Sequence, residues 1–85
     1  MPYIKKVERA RFDKVLNQVF AITTKGELEY CIYKLMTKFM KDKERRYATL
    51  HDCVYAAQHC ADEFRRRNLD VREDSAREEN GDIEA

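Results

Sequence analysis

The sequence has a single serine, Ser75, and no histidine stands beside it. A Ser-His-acid triad is thereby excluded, because a hydroxyl nucleophile needs a base and an orienting acid within hydrogen-bond reach. Cysteine is scarce and odd in number: Cys31, Cys53 and Cys60 form no Cys-x-x-Cys pair, and helical spacing turns them inward. They read as reduced core residues of a cytosolic protein, neither a disulfide framework nor a zinc site, and none has the exposed electropositive setting of a reactive thiol. Only two glycines are present, and Lys25-Gly26 lacks the strand and glycine-rich turn that a Walker loop requires. Long apolar runs are missing as well. Nothing approaches the roughly 20 residues needed to span a bilayer, and Met1-Pro2-Tyr3-Ile4-Lys5-Lys6 opens no signal-peptide segment. These absences predict a non-catalytic protein with no cofactor, no metal, no secretion and no membrane insertion.

What is present is charge, divided unevenly. Residues 1–69 hold 15 Lys and Arg against 9 Asp and Glu, whereas residues 70–85 hold 2 against 7, so a body of +6 carries a tail of −5. A basic body attracts phosphates, nucleic acid or acidic protein surfaces, and the tail could compete for the same surface. The 85 residues make one domain at most. A single core is marginal at that size, so a partner subunit would help.

Apolar periodicity divides the chain into three helices. Val7, Phe12, Val15, Leu16, Val19 and Phe20 recur at helical spacing and predict a first amphipathic helix over 7–20. Thr24 with Glu27 three residues later is a capping-box signature, and Leu28, Ile32, Leu35 and Phe39 then mark a second helix reaching about Lys43, with lysines in its last turn. After a short connection, Thr49 followed by Asp52 predicts the cap of a third helix, whose inward stripe includes Leu50, Val54, Ala57 and Phe64. This helix is expected to fade after Arg65-Arg66-Arg67. The predicted fold is all-α: an antiparallel helical hairpin of helices two and three, with a shorter packed N-terminal helix, forming a homo-oligomer. Residues 1–69 make the helical domain. Residues 70–85 make an acidic tail, too polar to repay its ordering entropy alone, and therefore disordered or ordered by a partner.

Folding the hairpin back brings the start of helix two beside the end of helix three. Thr23, Thr24, Lys25 and Gly26 would then lie near Arg65 and Arg67, where unpaired N-H groups, hydroxyls and cationic side chains suit a phosphate. In the plainer reading Thr24 only caps its helix, Lys25 is solvated and the arginines complement a helix C-terminus. A second basic cluster, Lys41, Lys43, Arg45 and Arg46, gathers at the other end of the hairpin. Sequence-specific nucleic-acid recognition fits badly, since helix three is poor in base-reading side chains. His51, Tyr55 and His59 share one face of helix three, but eight residues separate the histidines, about 12 Å, too far to ligate one ion. Such a stripe reads as a half-buried interface, with Tyr30 and Tyr33 adding aromatic area on helix two.

The run from Ile22 through Thr23-Thr24-Lys25-Gly26-Glu27 to Leu35, the opening Met1-Pro2-Tyr3-Ile4, Tyr47-Ala48-Thr49-Leu50, Glu63-Phe64-Arg65-Arg66-Arg67 and the closing Glu79-Asn80-Gly81-Asp82 together resemble a family of small bacteriophage-encoded proteins of unassigned function. The resemblance spans nearly the whole chain. It implies a phage accessory protein acting in the cytoplasm of an infected bacterial host, by one of two routes. The first is sequestration of a host nucleotide immune messenger, with Thr23, Thr24, Lys25 and Gly26 as phosphate cradle, Arg65 and Arg67 as charge partners, and Tyr3 or Tyr30 as base-stacking surface. The second is direct binding of a host defence protein as inhibitor or adaptor.

Overall fold

The computed structural model describes residues 2–83. Helix α1 spans Lys6–Leu16, α2 spans Lys25–Met40, α3 spans Tyr47–Phe64 and α4 spans Asp70–Asn80. A π-helical turn, Arg65–Leu69, joins α3 to α4, so Tyr47 to Asn80 is one continuous helical run and the chain has three helical bodies. No strand occurs among the described residues.

Helix α1 is shorter than its apolar pattern predicts. The Asn17 N-H still bonds the Asp13 carbonyl, but Gln18 and Val19 bond only three residues back, to Val15 and Leu16, and the helix closes. No other helix lies against it to bury Val19 or Phe20, and Phe20 is 94% exposed. Helix α2 begins where the sequence predicts. Thr24 accepts a hydrogen bond from the Glu27 N-H at 3.1 Å, and the Glu27 carboxylate reaches back to the Thr24 N-H at 3.2 Å, satisfying donors at both ends of the box. It ends at Met40, where Lys43 folds back to donate to the Phe39 carbonyl.

Helix α3 begins at Tyr47, with Arg46 as its N-cap, so Thr49 is the third helical residue rather than the cap. Its hydroxyl oxygen accepts from the Arg46 N-H at 3.2 Å, a role sequence spacing alone assigned one turn too late. At the other end the expected fade after Arg67 does not occur. The Asp70 N-H bonds the Arg65 carbonyl five residues back, which widens the helix by one residue and carries it onward. Helix α4 then stops at Gly81, whose φ of 87° lies where an L side chain is strained. Every residue of α4 is exposed, so its helix rests on backbone bonds and local pairs such as Arg77 with Asp74.

Helices α2 and α3 meet near their connection, residues 41–46. There Met40 and Cys53 are the buried residues of the described chain, and the Cys53 Sγ lies 3.6 Å from the Met36 carbonyl oxygen. The expected inward packing of Cys31 and Cys60 is not found: Cys31 is half-buried and Cys60 exposed. The shorter N-terminal helix, expected to be packed, approaches neither α2 nor α3. The chain is accordingly extended, 51 Å along its longest axis, with a radius of gyration of 17.0 Å. A compact chain of this length would have a radius of about 12 Å.

Candidate functional site

The N-terminal arm, residues 2–5, returns to the far end of α3, where distant parts of the sequence build a concave surface. Pro2 lies against His59, Asp62, Glu63 and Arg66 on one side and against Cys60, Phe64 and Asn68 on the other, making two open clefts along the helix. Beside them the Arg67 Nη1 donates to the Tyr3 hydroxyl oxygen at 2.9 Å. That bond, and then the charge interaction with the same hydroxyl, hold the Arg67 guanidinium protonated above its usual range. Arg66 is committed locally: its Nη2 and Nε both reach Glu63 Oε1, at 2.6 and 2.7 Å. The Asn68 amide donates to the Phe64 carbonyl inside the widened turn.

Of the residues expected to hold a ligand, the structure therefore joins two, Tyr3 and Arg67. The proposed phosphate cradle lies elsewhere. No backbone position of α2, Lys25 and Gly26 included, comes within 8 Å of the π-helical turn that carries Arg65 and Arg67. At the entry to α2 the chain's own carboxylate already binds the two N-H groups that precede the helix. Glu27 Oε1 accepts from the Thr23 N-H at 2.8 Å, from the Thr24 N-H and from the Thr23 hydroxyl. Those bonds, the Thr23 N-H foremost, lower the Glu27 carboxyl below its usual range, so the carboxylate persists where a phosphate would have to enter. Lys25 is exposed and pairs with Glu29 at 3.6 Å. The space above Gly26 is open, with no atom within 4 Å of where a Cβ would lie. Tyr30 is exposed on α2, 6.0 Å from the Lys34 ammonium. Arg65 is exposed in the widened turn, which no backbone position of α2 approaches within 8 Å.

A feature the sequence reading only partly captured runs along α3. Tyr47, His51, Tyr55 and His59 meet at four-residue steps, with ring centroids 5.3, 4.1 and 5.6 Å apart, the outer pairs stacked and His51 edge-on to Tyr55. The histidines are thus spaced by a tyrosine ring, and no three metal-ligating side chains converge among the described residues. Tyr47 is the member that spacing missed, because the helix was expected to start after it.

Comparison with known proteins adds one result. The family described as a domain of unknown function, DUF6899, matches residues 1–83. The chain belongs to that family. No curated protein matches the DUF6899 chain, and no solved structure does. No helix among the described residues is long and apolar enough to cross a membrane.

Proposed function

We propose that this chain is a non-catalytic association protein, which acts by laying unburied helix faces against another protein as an inhibitor or adaptor. One observation carries the reading. Met40 and Cys53 are the buried residues of the described chain, while Val7, Phe12, Leu28, Ile32, Leu35 and Phe64 all face solvent. Apolar surface on that scale marks a protein-interaction site, and a chain that leaves it open gains its packing energy only on binding. The reading takes α2 and α3 as the two arms of an antiparallel hairpin, the arrangement a short connection favours. We extend the reading to a host defence protein as target, in the cytoplasm of an infected bacterial host, which is what a resemblance to small phage proteins would imply.

Sequestration of a nucleotide messenger has weaker support, because Lys25 and Arg65 do not meet within one chain and Glu27 takes up the Thr23 and Thr24 N-H groups. The two readings separate in one experiment. Thermal melts are recorded with a panel of cyclic and linear nucleotides, and capture of host proteins is measured for the unaltered chain, for Ile32→Asp with Leu35→Asp, and for Lys25→Ala with Arg65→Ala. Association predicts no nucleotide-induced shift and a capture lost only in the apolar-face variant. A nucleotide at 100 times its dissociation constant would instead add about 2.7 kcal/mol, and loss of that gain in the Lys25 and Arg65 variant would overturn the reading.

A further inference from the structure

We propose that the partner covering most of this surface is a second copy of the same chain, aligned antiparallel so that the acidic α4 of each copy lies beside the basic 41–46 connection of the other. The inference rests on the association reading and names its first partner.

Area favours a second copy. The chain exposes 8438 Å² at a mass of 10.2 kDa. A compact protein of that mass exposes about 5,300 Å², leaving an excess of about 3,100 Å² per chain. Obligate homodimers bury about 2,000–5,000 Å² or more across both partners, so a pair of these chains carries surplus surface on the scale such an interface uses. Part of it lies along the continuous helix, where Val54 is 47%, Phe64 69% and Leu69 47% exposed. In a widened turn, residues five apart come into line, which brings Leu69 under Phe64 and prolongs the stripe past the arginines.

Charge sets the direction. From Tyr47 to Asn80 the helix measures about 50 Å at 1.5 Å per residue, in agreement with the 51 Å long axis of the molecule. The 41–46 connection before its first turn carries Lys41, Lys43, Arg45 and Arg46 against Asp42 and Glu44, a net +2, and its last three turns carry Asp70, Glu73, Asp74, Glu78 and Glu79 against Arg72 and Arg77, a net −3. Opposite charges held at the two ends of one rod cannot neutralise each other within the chain, and α4 contacts no helix of its own chain beyond the turn it extends. Two rods side by side in opposite directions bring each acidic end to a basic end, twice per dimer, as a twofold axis requires. A parallel pair would set acid against acid and base against base.

Sedimentation equilibrium of the full chain at low salt tests this. Two variants alter exposed side chains outside the buried junction: a tail reversal, Glu73→Lys with Glu78→Lys, and a turn reversal, Lys41→Glu with Arg45→Glu. The unaltered chain is expected to be a dimer at micromolar concentration, with a melting midpoint that rises by about 5–10 °C over a hundredfold increase in concentration. Each reversal alone should weaken the dimer about tenfold or more, summed over the repeated pairs. A chain carrying both reversals should recover, and mixing the two single-site variants should give heterodimers in preference to either homodimer. Unchanged affinity in the tail reversal overturns the antiparallel pairing. A monomer at all concentrations overturns the second copy: if it melts cooperatively, the association reading falls with it, and if it shows no cooperative melt, that reading survives with a different partner.

Discussion

The junction of α2 with α3 and the outer helix α1 are built from the same kinds of residue and reach opposite ends. At the junction, a six-residue connection holds two helices close enough for Met40 and Cys53 to leave water, at 8% and 7% exposure. In α1 an equally periodic set, Val7, Phe12, Val15 and Leu16, stays exposed because no helix of its own chain comes alongside. Amphipathic spacing supplies a face, and only a neighbour turns the face into a core. The capping box of α2, the Thr49 hydroxyl's bond from the Arg46 N-H and the backbone ladders of both helices form without that neighbour, which is why secondary structure outruns tertiary packing here.

The sharpest way to break the contrast is to empty the junction. Met40→Ala should cost about 2–3 kcal/mol of unfolding free energy in urea titration, since a buried methionine loses both transfer energy and its packed surroundings. A loss below half that value would mean the junction is no more of a core than the arms. Next comes the cap: Thr24→Ala should cost about 1 kcal/mol and fray α2 from its first turn, visible as faster amide exchange at residues 27 and 28. An acid titration sharpens the same point. The Glu27 carboxyl is held below its ordinary value of 4.5 in the folded chain, so its contribution is fully present above that value and is lost as pH falls through the lower folded value. Glu27→Gln should flatten that acid limb of the helicity curve, and an unaltered limb would show that the terminus is not held by this carboxylate.

Smaller still is the arm. Tyr3→Phe removes the acceptor of the Arg67 bond and should cost at most about 1 kcal/mol, while raising the rate at which an added protease cuts before α1. The smallest effect belongs to Val7→Ser, at 80% exposure. Its cost should stay within about 0.5 kcal/mol, measured by urea titration of α2 and α3. A penalty of several times that size would place α1 in a packed interface and erase the distinction between the regions.

Much of the local order was legible from residue pattern. Thr24 and Glu27 announce the start of α2 because both partners of the box lie within three residues, and lysines 41 and 43 announce its end. Helix α3 begins three residues, nearly one turn, earlier than expected because Thr49 can serve as cap or as third residue, and only the backbone of Arg46 distinguishes the two. The continuation through Arg65–Leu69 was illegible, since a π-helical turn has no periodic signature and the residues after it bury nothing. The residues of the candidate ligand site are not all brought together within one chain, for a geometric reason. Its logic required the start of α2 to reach the end of α3, but the two helices converge at their connection and the π-helical turn stays beyond the reach of α2. Glu27, read as a helix cap, also takes up the Thr23 and Thr24 N-H groups that the site would have offered a ligand.

The five residues of the widened turn act as a rotary joint. An α-helix turns about 100° per residue, so one extra residue in the turn decides which way every acidic side chain beyond it points. Deleting a single residue there would leave the length nearly unchanged and swing the whole acidic rod end to another compass bearing.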